Sequence, residues 1–127
     1  MIPKNVSLVF PSEGLTIEVG VSVESHGLYR LQEHPVFAVS AAYGDLIRCR
    51  DLGDGHLEFL AVVEGGELER VDYVLAQSVV ESAGVVAVLA KVVANDGYWQ
   101  RYFGGCLTVY FRADRYDPRA DLENLNA

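Results

Sequence analysis

Cysteine is scarce in this chain: Cys49 and Cys106 are its two thiols. They form no C-x-x-C motif, and a pair does not make the dense disulfide framework of a small secreted domain. Long apolar runs are also missing. No window approaches the roughly 18 apolar residues of a membrane-spanning helix, and the start, MIPKNVSLVFPSEG, is broken by Pro11 and lacks a signal-peptide core. The expected compartment is the cytoplasm, with no membrane partner. Basic residues are few, 10 Lys and Arg against 18 Asp and Glu, for a formal net charge of -8. Nucleic-acid affinity rests mainly on cations that neutralise phosphates, so a nucleic acid is not the expected partner and a basic protein is compatible with the field. Neither sign of charge forms a long block, and there is no internal repeat, linker or low-complexity segment.

Catalytic signatures are absent as well. There is no G-x-S-x-G nucleophile elbow and no phosphate loop around Gly104-Gly105. What remains is a chain of 127 residues, half of them hydrophobic and 22% charged. Such a chain buries one ordinary core, so a single domain over residues 1–127 is expected.

The patterning is mostly that of strands. Val6 to Phe10 is a short apolar run, expected at a sheet edge and closed by the turn residues Pro11 to Gly14. From Thr16 to Glu24, Ile17, Val19, Val21 and Val23 alternate with polar partners, which predicts a half-buried strand. Ser25-His26-Gly27 connects it to Leu28–Gln32. Pro35 disfavours a ladder, and Val36 to Val39 continues as a short apolar element or a plug for the core. Gly44-Asp45 is a turn in which Asp45 can accept backbone amides. It leads to a strand over Leu46–Arg50 that places Arg48 and Arg50 opposite Ile47 and Cys49. Asp54-Gly55 is the hairpin dipeptide, and His56–Glu64 is its partner strand, expected to be central because both of its faces become apolar. A further strand covers Glu69–Ala76.

At Gln77 the pattern changes. Ser78 and Glu81 fit a capping box, and Val79, Ala83, Val86, Ala90 and Val93 fall on one helical stripe, which predicts a buried helix over 78–94. Val85, Val88, Leu89 and Val92 make the other side apolar too, so a buried strand pair in 79–93 stays open. Asn95-Asp96-Gly97 ends the helix. The aromatic cluster Tyr98 to Phe103 follows, then a last strand over Cys106–Phe111 and a short terminal helix after Pro118.

Tyr29-Arg30-Leu31, Pro35-Val36-Phe37-Ala38, Tyr43 to Ile47, Asp54 to Phe59 and Val62-Val63-Glu64 together resemble the bacterial family called domain of unknown function 4265. The likeness runs through a YRL-like strand, a P-x-F-A segment, a G-D turn into a strand and a D-G-x-L-x-F strand. After Glu64, Gly65-Gly66-Glu67 stands where that family has a Gly-His-Ser-like turn. The family has no assigned activity, so the resemblance implies an architecture and no site.

Each group of chemistry-bearing residues has a plainer reading. Asp45, Asp54 and Glu58 match no metal loop, and both aspartates sit where turns favour them. His26, His34 and His56 follow three successive turns, and the meander could gather two of them to hold zinc or shuttle a proton; as surface residues they need no such role. Cys49 and Cys106 would need a nearby histidine or helix amino terminus to become nucleophiles. Tyr98, Trp99, Arg101 and Tyr102 have the composition of an interface hot spot, although Trp99 and Phe103 on a helical turn could instead pack on the sheet.

The expected fold is α+β: a bent antiparallel sheet or partial β-barrel, with one main helix packed on it and strand 106–111 completing it. The expected function is a non-enzymatic interaction module with no cofactor and no metal. It would be an acidic, immunity- or antitoxin-like binder of a basic partner, or a homo-oligomer. The alternative is a ligand-binding protein or enzyme with a pocket between sheet and helix, lined by Tyr29, Tyr43, Tyr73 and a histidine.

Overall fold

A computed structural model of the chain describes residues 3–125. The protein is mixed α/β and mostly strand, with two sheets and a few helices. Its contacts fall into two compact units, Met1–Gly66 and Glu67–Ala127.

In the first unit, β1 (Pro3–Phe10) leads through a 3-10 turn to β2 (Leu15–Ser25), and β3 (Leu28–Leu31), β4 (Leu46–Gly53) and β5 (His56–Glu64) follow. Successive strands pair antiparallel. A short parallel pairing of Ser7–Val9 in β1 with His56–Glu58 in β5 returns the strand order to its start. The side-chain period of two then places Val6, Leu8 and Phe10 of β1 with Val19 and Val21 of β2, Leu31, Ile47 and Leu57 in one apolar core. Pairing on both sides means that β1 is not the edge strand expected from its length. Nor is β5 central throughout. Only its first residues have partners on both sides, and Leu60, Val62 and Val63 beyond them are exposed.

Turn chemistry holds the unit in register. Asp54 and Gly55 both have positive φ, at 53° and 76°, as a tight hairpin with right-handed strand twist requires. Asp45 is buried, and its carboxylate accepts the Ala42 amide at 2.9 Å and the Gly66 amide at 2.8 Å. The segment before it plugs the core as Ala38 and Ala41, while Phe37 points outward.

The second unit contains β6 (Glu69–Val74), α1 (Gln77–Val80), α2 (Ala83–Ala94), β7 (Tyr98–Tyr102), β8 (Cys106–Phe111) and α3 (Arg119–Leu125). Its sheet has the order β6-β8-β7, antiparallel throughout. Four expectations are corrected here. Segment 79–93 is helical and not a strand pair, but it breaks at Glu81-Ser82. Ser82 rather than Ser78 caps α2, its hydroxyl accepting the Val85 amide at 3.4 Å and donating to the Val79 carbonyl at 2.6 Å. The main helix also packs within this unit: Val85, Leu89 and Val92 share a core with Leu107 and Val109 of β8 and with Leu122 of α3. Strand 106–111 is thus the middle of a separate sheet, not the completion of the meander. A Cβ at Gly105 would lie 2.0 Å from the Leu75 carbonyl oxygen, so only glycine lets the chain pass there.

Among the described residues no helix is long and apolar enough to cross a membrane.

Candidate functional site

The aromatic segment 98–102 is a strand, not a helical turn, and this decides how its side chains divide. Along β7 the period of two separates Trp99 and Arg101 from Tyr98 and Tyr102. The four residues therefore do not form one patch, as their composition suggested. Tyr98 and Tyr102 engage the polar side of the sheet. The Tyr98 hydroxyl donates to Gln100 Oε1 at 2.8 Å, and its ring lies 6.1 Å from that of Tyr110. The Tyr102 hydroxyl meets Thr108 Oγ1 at 3.3 Å, and Thr108, fully buried, donates to Asp72 at 2.6 Å. Arg70 bonds the same Asp72 carboxylate. Buried polar groups satisfied in this way stiffen a sheet.

Trp99 and Arg101 face a groove of about 430 Å³ between β7 and the helices, walled by Val80, Val86, Leu89 and Ala90 and closed at one end by Glu81. Arg101 reaches the Glu81 carboxylate at 3.0 Å and the Gly104 carbonyl at 2.5 Å. The Arg101 bond, followed by one from Gln77, holds the Glu81 carboxyl below the usual carboxylate range. The pair is exposed and screened by solvent, so its part is to fix the indole's neighbour and mark the groove's polar end. Trp99 is 37% exposed and Val86 and Val93 are 57% and 55% exposed. Val86, Ala90 and Val93 are spaced four and three apart, one face of α2. The helix thus has two apolar faces, one buried through Val85, Leu89 and Val92 and one open beside Trp99. The stripe was visible in the sequence, whereas Glu81 as the partner of Arg101 was not, since the two are twenty residues apart.

The other candidates separate. His34 is buried in the first unit's core loop, and His56 Nδ1 lies 3.1 Å from the Asp54 carbonyl. His26 does come together with Cys49 along one cleft, with Tyr29. Burial pushes the Cys49 thiol up to about 12, which keeps it protonated and argues against a nucleophile. Cys106 is partly buried, and both thiols are free. Of the tyrosines expected to share a pocket, Tyr29 lines this cleft without Tyr43, and Tyr73 belongs to the second unit. No group of three or more metal-ligating side chains occurs among the described residues.

No family model and no curated protein matches the chain. The fold is similar to that of a hypothetical protein from Neisseria gonorrhoeae solved by crystallography, with a TM-score of 0.59 over 98% of this chain and 84% of that one. At 19% identity this likeness speaks to the fold alone.

Proposed function

We propose that the protein is a non-enzymatic interaction module whose groove between α2 and β7 seats an apolar segment of a basic protein partner. The observation that carries this reading is the second apolar face of α2, with Val86, Ala90 and Val93 open to solvent and the first two lining the groove with Trp99. Water-exposed apolar surface rimmed by charge marks docking sites, and Trp and Arg are among the residues enriched at interface anchors. Charge supplies the partner's sign. Residues 67–127 carry nine acids against six bases. Those bases are largely engaged already: all five arginines are ion-paired to local carboxylates and Lys91 lies over the Tyr116 ring. The surplus is negative, which steers and favours a cationic partner, in the manner of an acidic immunity protein or antitoxin. The cytoplasm is the compartment that suits two unpaired thiols. The motifs between Tyr29 and Glu64 support placing the chain with domain of unknown function 4265.

The test is capture by the tagged full chain from native cells, with Trp99→Ala and Val86→Asp as controls. The expected result is a protein of high isoelectric point that both substitutions release and that salt weakens. Trp99 is the only tryptophan, so binding should also shift its emission to the blue. Retention of every captured protein by both variants would refute the reading. Recovery of a second copy of this chain alone would replace it with self-association. A groove of this volume also falls within the range of small-molecule sites. An emission shift produced by a small apolar compound, with no protein captured, would favour that second reading.

A further inference from the structure

A different surface, in the first unit, gathers positive charge where the composition is acidic. Residues 1–66 hold nine acids and only four bases, Lys4, Arg30, Arg48 and Arg50. Arg48 and Arg50 sit two apart on β4, so their side chains leave the same face of the strand. Both line a cleft of about 390 Å³, together with His26, Gly27, Tyr29 and Asp51. Lys4 lies over the Tyr29 ring, with its Nζ 5.8 Å from the ring centre. Lys4 and Tyr29 pair with the core residues Val21 and Ile47 and so lie on the other face of the sheet, which leaves two of the unit's four bases lining this concavity. Seven of the chain's eight arginines are ion-paired to carboxylates. Arg48 is the one with no such partner among the described residues. Arg50 already holds Glu58 at 2.5 Å, and Asp51 Oδ1 accepts the Gly53 amide at 2.8 Å. Like charges on one strand face repel unless an anion lies between them.

We propose that this cleft binds a small organic oxyanion, a carboxylate or a phosphate monoester, with Arg48 as its forked donor and His26 as a flanking group. The arginine fork matches the geometry of both oxyanions. The unit's overall negative charge disfavours a polyanion, and the cleft's volume suits a ligand of metabolite size. Nothing in this reading depends on the groove of the second unit.

The test is an NMR titration of the ¹⁵N-labelled full chain at constant ionic strength, with benzoate in one arm and phenyl phosphate in the other. The expected result is saturable movement of the His26, Gly27, Arg48 and Arg50 amides with at least one probe. Arg48→Gln should weaken it at least about tenfold, as loss of a charged fork does, while Arg115→Gln, in the other unit, leaves it unchanged. Arg48→Lys, which keeps the charge without the fork, should fall between. Saturation in only one arm identifies which oxyanion the cleft takes. The proposal is overturned if neither probe saturates these amides, or if Arg48→Gln retains wild-type affinity while its remaining spectrum superimposes on that of the native chain.

Discussion

Two adjacent valines offer the sharpest test of how α2 is oriented. Val85 is 0% exposed and Val86 is 57% exposed, so Val85→Ala and Val86→Ala make the same chemical change in opposite surroundings. Removing two buried methyl-sized groups forfeits about 1.6 kcal/mol of transfer free energy, and the cavity left behind raises the cost to about 2–3 kcal/mol. At Val86 little apolar surface leaves water on folding, and alanine is the better helix former by a few tenths of a kcal/mol. The expected change there is therefore near zero or slightly stabilising. Urea unfolding followed by far-ultraviolet circular dichroism measures both, read at constant m so that the midpoint reports stability. The reasoning fails if Val86→Ala costs more than about 1 kcal/mol, because an open face cannot lose that much on truncation. If it holds, any loss of partner binding in Val86→Asp is a surface effect and not an unfolding effect.

Three further outcomes follow from groups whose surroundings are fixed. Asp45→Ala strands the Ala42 and Gly66 amides; Gly66 is exposed and can take water, so the expected cost is about 1–3 kcal/mol, with Asp45→Asn cheaper because it keeps one acceptor. Equal urea midpoints for the native chain and Asp45→Ala would contradict this. Burial takes the Cys49 thiol from 9.0 to about 12, which lowers its thiolate fraction about a thousandfold. Iodoacetamide at mildly alkaline pH should label Cys106 first and Cys49 only after unfolding, and comparable labelling of both by mass spectrometry would be the contrary result. Burial, followed by the hydrogen bond to Asp121, pushes the Tyr116 phenol up from 10.0 to about 12. A phenol whose folded value lies above its unfolded one contributes stability that is complete below pH 10 and lost as pH climbs through the interval to about 12. Absorbance at the tyrosinate band should show a delayed fraction of the seven tyrosines, reduced in Tyr116→Phe; a single titration of all of them in the folded chain would exclude this.

Most of the strands were legible because local rules determine them. Ile17, Val19 and Val21 announce β2 by alternation, Asp54-Gly55 can hardly do other than turn, and Ile47 and Cys49 face inward opposite Arg48 and Arg50, as their spacing required. What sequence could not supply was pairing between distant segments. β5 has an apolar end because it is long, yet its second neighbour, β1, reaches only His56–Glu58. The sheet to which Cys106–Phe111 belongs depends on Val71 meeting Val109 and Trp99 meeting Val109 from the other side, and no local pattern encodes that. β7 escaped detection for a related reason: both of its faces carry large aromatic or charged side chains, so it lacks the apolar-polar alternation that marks a half-buried strand.

The two candidate surfaces were hidden for different physical reasons. In α2, the faces 85, 89, 92 and 86, 90, 93 are offset by one residue, about 100° around the axis. Either could have been buried. Periodicity reports that a helix has two apolar stripes but not which of them meets the sheet, and that choice is made by the cap at Ser82 and by the sheet it packs on. The cleft of the first unit is instead a product of register. Leu28 pairs with Arg48 and the Cys49 amide donates to the Gly27 carbonyl at 2.9 Å, which brings the turn at His26 beside β4. A slip of one residue in that pairing would send Arg48 and Arg50 to the opposite face, and the buried Ile47 and Cys49 could not follow without leaving the core. The packing that makes the fold unique therefore also fixes where the unpaired arginine points, so a conservative change at Ile47 that loosens this register should weaken oxyanion binding at Arg48 without touching the cleft itself.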